Sequence, residues 1–133
     1  MMRALAQERA KFALNEVLKS KSIDKLKPFT AGAPTMILQN GFGQAIAFWL
    51  SKTSSKNKKE KKKFEFIIET IREWLSKNGF IKSDVDNNEK FVEAITELSQ
   101  EDYLSAQMET LKLLEWIKRY ASAFCEDDNK EEE

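Results

Sequence analysis

Residues 33–52 read APTMILQNGFGQAIAFWLSK. On a helical projection Leu38, Phe42, Ala45 and Trp49 form one face, and Ile37, Gly41, Ala45 and Phe48 form the next. Gln39, Gly43, Ile46 and Leu50 extend the cover, leaving only Asn40, Gln44, Ala47 and Ser51 as a partly polar line. A helix apolar on most sides is normally buried, so this segment predicts a central helix around which the others pack. Pro34 fits its first turn, where a missing N–H costs nothing. Gly41 and Gly43 each cost about 1 kcal/mol relative to Ala inside a helix, and close approach of a neighbouring helix is the expected compensation.

The segments on either side are helical too. Residues 2–20 place Ala6, Ala10, Ala13 and Val17 on one face, broadened by Leu5, Phe12 and Leu18. Residues 22–33 have no sustained period and read as a connection. From about 58 to 78, Phe64, Ile67, Ile68, Ile71, Trp74 and Leu75 follow the helical period, and Gly79 is a suitable stop. Asn87 or Asn88 can cap a short helix through Phe91, Ile95 and Leu98. Ser99 and Asp102 suggest the start of a last helix running to about 125 through Leu104, Met108, Leu111, Leu114, Ile117, Ala121 and Phe124. The expectation is an all-α fold: a compact antiparallel helical bundle of four long helices and one or more short helices. Residues 1–125 form its single domain, and 126–133 form a disordered acidic tail.

Composition narrows the chemistry. The 133 residues contain no histidine and one cysteine. Ser-His and Cys-His activation and imidazole-based metal sites are therefore unavailable. The commonest general base at neutral pH is missing as well. Glu65, Glu69 and Glu73 share a helix face, but without a second ligand-bearing helix they read as solvated, and Cys125 reads as a small hydrophobe. The Asn40-Gly41-Phe42-Gly43 run lacks a preceding strand, and Ile46 stands where a dinucleotide fingerprint has its third glycine. No catalytic residue, metal or cofactor is expected, and the protein is read as not an enzyme. The longest apolar runs fall short of a membrane span, and the cysteine usage suits a reducing, cytoplasmic location.

Net charge is zero, yet residues 1–63 hold fourteen basic against four acidic residues, and 64–133 hold eight basic against eighteen acidic. Such asymmetry points to a polyanion-binding side, or to copies meeting positive to negative. Lys52, Lys56, Lys58, Lys59, Lys61, Lys62 and Lys63 place seven cations in twelve residues. Lysine is a mobile point charge suited to phosphate and poor at reading base edges. The plain alternative is a soluble loop.

Three blocks resemble a known family. They are Arg9-Ala10-x-x-Ala13-x-x-x-Val17, then Pro34-x-Met36-Ile37-Leu38-Gln39-Asn40-Gly41-Phe42-Gly43-Gln44-Ala45-x-Ala47-Phe48, then Tyr103 with Leu111-x-x-Leu114-x-Trp116-x-Lys118-Arg119-Tyr120-Ala121. In order and spacing, over roughly residues 3–124, the chain resembles the Cmr small subunit family of type III-B CRISPR RNA-guided effector complexes. Phe42 stands where leucine would be equally at home. The resemblance implies a non-catalytic ribonucleoprotein complex subunit of antiviral defence. Its implied partners are the large subunit, the backbone subunits, further copies stacked head to tail, and the guide and target RNA. No membrane partner is implied. Together with the charge map, it marks Arg9, Lys11, the seven lysines of 52–63, Lys118 and Arg119 as candidate RNA-bordering residues. The alternative is a helical adapter that binds only protein partners.

Overall fold

The computed structural model describes residues 4–126, so all but the first residue of the acidic tail lies outside the described residues. Six helices follow in order: α1 (Leu5–Lys19), α2 (Leu26–Asn40), α3 (Phe42–Lys52), α4 (Lys58–Lys77), α5 (Asn88–Thr96) and α6 (Gln100–Phe124). No strand occurs among the described residues, and the all-α expectation holds.

The segment 33–52 is not one helix. Gly41 takes φ +88° and ψ 158°, which ends α2 and starts α3. That conformation is open to glycine and strained for any residue with a Cβ. Gly43 answers to the expected cause, close approach, because a Cβ there would lie 3.2 Å from the Tyr103 hydroxyl. The helix before the break also begins earlier than the sequence suggests. Leu26, Thr30, Ala33 and Ile37 are all buried and spaced four, three and four apart, a helical stripe obscured by Pro28, Gly32 and Pro34. Pro28 occupies the first turn of α2, whereas Pro34 lies in the helix interior and removes the N–H that would bond the Thr30 carbonyl.

The remaining boundaries follow local chemistry. Asn57 caps α4, its Oδ1 accepting from the N–H groups of Lys59 and Glu60 at 3.1 Å each. Gly79, at φ +80°, closes α4: the Phe80 N–H donates to the Leu75 carbonyl and the Gly79 N–H to that of Ser76. Asn87 accepts from the Lys90 N–H and starts α5, and Ser99 accepts from the Asp102 N–H and starts α6.

Arg9, in the first half of α1, lies beside Glu109, in the first half of α6, while α2 packs along α6 in the opposite sense. The core runs through Val17, Ile37, Phe42, Ile46, Ile67, Ile71, Trp74, Phe91, Leu113 and Ile117. In its second half α6 buries Leu114, Ile117 and Ala121 as expected, but in its first half the buried face is rotated from the expected one. Ala106, Glu109, Thr110 and Leu113 are inside, whereas Leu104 and Met108 are exposed. The Tyr103 and Gln107 side chains set that rotation, since both reach across to the start of α3.

Candidate nucleic-acid interface

The lysines of 52–63 occupy one continuous place. Lys52 ends α3, Lys56 lies in the connection, and Lys58, Lys59, Lys61, Lys62 and Lys63 line the first two turns of α4. Lys52, Lys56, Lys58, Lys59 and Lys62 are exposed; Lys61 and Lys63 are half-buried. Neutralisation is sparse: Lys59 Nζ stands 3.9 Å from Asp24, and Lys61 Nζ stands 3.8 Å from Glu65. Two ammonium groups rest on rings instead, Lys63 over Phe64 and Lys52 over Phe48, at 4.9 and 5.2 Å from the centroids. Cations in the first turn face the positive end of the helix dipole, and Glu60 is the single acidic residue there. The local arrangement is therefore electrostatically unfavourable until an anion approaches.

Packing brings further cations to this end. The α1–α2 connection, with Lys21 and Lys25, lies against the start of α4 through the Asp24–Lys59 contact. Phe29 near the start of α2 meets Phe64 edge-on at 5.0 Å and Trp49 at 6.0 Å, fixing the three helix ends together. The last turn of α6 arrives beside the same connection, because Lys27 and Lys21 act electrostatically on the Cys125 thiol. Burial pushes that thiol above its ordinary pKa, and the two lysines pull it back. Lys19, Lys21, Lys25 and Lys27 thus join the 52–63 lysines at one end of the bundle. In the sequence they register only in the net charge; nothing local in 19–27 signals that this connection meets α4.

The other candidates fall differently. Arg9 does not belong to this surface. It is buried, with Nε and Nη2 donating to the two oxygens of Glu109 at 2.6 and 2.9 Å. Trp74 Nε1 donates to the same carboxylate at 2.7 Å. The Ala13 and Val17 stripe that turns α1 inward turns Arg9 with it, and Glu109 supplies the buried counter-charge. Glu109 is a buried structural partner with no marker in the sequence beyond its spacing of three from Ala106 and four from Leu113. Lys11 is exposed midway along α1, about 12 Å of helix rise before Lys19. Lys118 is half-buried and Arg119 exposed, both within two turns of the end of α6.

The opposite end of the bundle carries Glu97, Glu101 and Asp102, with Lys82 and Lys90 lining the same hollow as Glu97. There, the Phe42 N–H donates to Gln107 and the Gly43 N–H to the Tyr103 hydroxyl, so α6 side chains cap α3. Glu101 and Asp102, in the first turn of α6, border that place with Glu97. The flank between α1 and α4 is mixed in sign. Glu16, Glu65, Glu69, Glu73, Lys19 and Lys62 line an open groove of about 320 Å³. A hydrogen bond and the nearby charge of Glu16 raise the Lys19 pKa. Among the described residues no group of three or more Cys, Asp or Glu side chains is placed to hold a metal ion, and no helix is long and apolar enough to cross a membrane.

The geometry thus defines a small all-helical bundle with a lysine-rich end, a buried ion pair and the carboxylates of Glu97, Glu101 and Asp102 toward the far end. A crystal structure of a CRISPR-associated Cmr5 family protein from Thermus thermophilus has the same fold, with a TM-score of 0.72 at 23% identity, covering 94% of this chain and 100% of that one. The family model for CRISPR-associated protein (Cas_Cmr5) matches residues 5–124. This chain belongs to the Cas_Cmr5 family, a CRISPR-associated Cmr subunit, and membership implies association with other subunits of a CRISPR complex.

Proposed function

We propose that this protein is a non-catalytic small subunit of a type III-B effector ribonucleoprotein in cytoplasmic antiviral defence. Its lysine end contacts the backbone of the guide or target RNA. Its copies stack head to tail, the basic end of one toward Glu97, Glu101 and Asp102 of the next. The observation that supports this most is the convergence of Lys21, Lys25 and Lys27 with the lysines of α4 at one end. A surface of mobile ammonium groups suits phosphate recognition without sequence preference. The lysines of one end and these carboxylates favour a heterologous contact, which builds an open array rather than a closed dimer.

The experiment is an RNA titration of the assembled complex at several salt concentrations. Phosphate contact releases counterions, so log affinity falls with log salt by about 0.7 per contacted phosphate of a single strand. A salt-independent affinity would count for the adapter. Exposed Leu104 and Met108, one turn apart on α6, favour that second reading as a small contiguous apolar strip.

A further inference from the structure

We propose that Trp116, Tyr120 and Phe124 form a stacking platform on the last turns of α6, which takes bases of a single-stranded RNA segment while neighbouring cations hold its phosphates. The inference rests on the reading of this end as an RNA contact and adds what holds the bases. The three rings stand at i, i+4 and i+8, one above the other on a single helix face. Trp116 and Tyr120 are nearly parallel, at 25° with centroids 5.4 Å apart. Tyr120 and Phe124 continue the series at 30° and 6.4 Å. From Trp116 to Phe124 it runs about 12 Å along the helix. It ends at the lysine end, where Phe124 is 48% exposed.

Core packing explains only part of this series. Trp116 and Tyr120 lean on the core, which fixes their rings, but the inward positions of this stretch belong to Leu113, Leu114, Ile117 and Ala121. Among the described residues neither the Trp116 indole N–H nor the Tyr120 hydroxyl has a protein hydrogen-bond partner. Neither is buried without one, so both polar edges face water. The rings already pair with one another, so a base adds at the open face of Phe124 and along the ring edges.

Charge decides which occupant fits. Exposed Lys112 stands one turn before Trp116, and exposed Arg119 one turn after it. At the far end the charges of Lys21 and Lys27 reach Cys125, the residue next to Phe124. Residues 112–126 hold Lys112, Lys118 and Arg119 against Glu115 and Glu126, so these two lysines add to a basic excess. The matching partner is flat and apolar in one part and anionic in another, which describes a nucleotide strand. An apolar peptide would cover the rings and leave the cations unmatched. Stacking on aromatic side chains tolerates any base, as does lysine contact with phosphate.

The test uses the full chain and a 15-nucleotide single-stranded uridine oligomer, compared by fluorescence anisotropy at low salt with an abasic ribose-phosphate oligomer of equal length. The native chain should bind the uridine oligomer about five- to tenfold more tightly. Phe124→Leu keeps an apolar side chain and removes the π face, and should narrow that gap; Phe124→Tyr should preserve it. Changing Lys21 and Lys27 to Gln should weaken both oligomers alike. Equal affinity of the native chain for the two oligomers, or a gap untouched by Phe124→Leu, overturns the platform and leaves phosphate contact standing.

A second arm places 4-thiouridine in target RNA bound to the assembled complex and maps the photo-adducts by mass spectrometry. Adducts on Trp116, Tyr120 or Phe124 support the platform, and adducts confined to lysines overturn it. No adduct anywhere on this chain, with neither oligomer bound, sinks the RNA reading and the platform together. If Phe124→Leu impairs assembly of the complex and leaves oligomer binding unchanged, the rings belong to a protein neighbour and the proposal is overturned.

Discussion

Arg9 and Lys59 belong to the same positively charged half of the sequence, and the fold treats them in opposite ways. Arg9 is withdrawn from water and gripped by a carboxylate 100 residues away, which also holds the Trp74 indole. Lys59 stays exposed, with its nearest carboxylate oxygen at 3.9 Å. The helix stripe on which a cation falls, and whether a partner helix brings a counter-charge, settles its role; local charge density does not. Arginine suits the first situation because its planar fork engages both carboxylate oxygens at once, and lysine suits the second.

The buried cluster should respond most strongly to a single change. Glu109→Ala leaves a buried guanidinium unpaired and removes the partner of Trp74, and should lower stability by about 3–5 kcal/mol. A denaturant melt of the purified chain measures it. The contrast sharpens if the double variant Arg9→Met, Glu109→Leu recovers most of the loss, since two apolar groups of similar size leave no orphaned charge. A double variant as unstable as the single one would locate the cost in packing around Trp74 instead.

At the solvated end the expectation reverses. Changing the exposed Lys58, Lys59 and Lys62 to Glu should leave the fold intact, exposed substitutions lying within about 0.5 kcal/mol each. Acidic residues in the first turn of α4 even suit the helix dipole better than the native cations do. RNA retention by the assembled complex should nevertheless drop at least about tenfold at low salt, with a shallower salt slope. Unchanged retention with an unchanged slope would falsify phosphate contact by this segment.

Between these extremes lies the α2–α3 break. Gly41→Ala forces a Cβ into φ +88° and should cost about 1–3 kcal/mol. Tyr103→Phe removes only the hydroxyl that accepts from the Gly43 N–H at 2.7 Å, and should cost about 1 kcal/mol. If Tyr103→Phe proved the costlier of the two, the break would depend on its capping by α6 rather than on the backbone freedom of Gly41.

The same contrast explains what the sequence could disclose. Helix α4 was legible almost to the residue because Phe64 to Leu75 repeat cleanly and Asn57 and Gly79 mark its ends. The break at Gly41 was hidden because apolar residues on both sides match one continuous helical period, and periodicity is blind to a single dihedral angle. The start of α2 was hidden by two prolines that outweighed the spacing of Leu26, Thr30, Ala33 and Ile37. At the candidate site, the run of 52–63 was visible as composition. The arrival of Lys21, Lys25 and Lys27 beside it, and the withdrawal of Arg9, are tertiary facts with no short-range signature.

Cys125 offers the smallest effect, and it tests whether two lysines can counter burial at the edge of the basic end. Burial favours the neutral thiol and outweighs the pull of Lys27 and Lys21, so the folded pKa lies above that of the unfolded chain. As pH rises past the unfolded value, the unfolded chain releases its proton first, so the small stability contribution of Cys125 is complete below that value and fades as pH climbs toward the folded one. The thiolate is the reactive form, so alkylation by iodoacetamide at neutral pH should run slower in the native protein than in the denatured chain. Changing Lys21 and Lys27 to Gln should slow it further by removing the opposing pull. Faster alkylation in that variant would mean that the lysines act mainly by covering the thiol, and that α6 meets the α1–α2 connection more closely than their electrostatic influence requires.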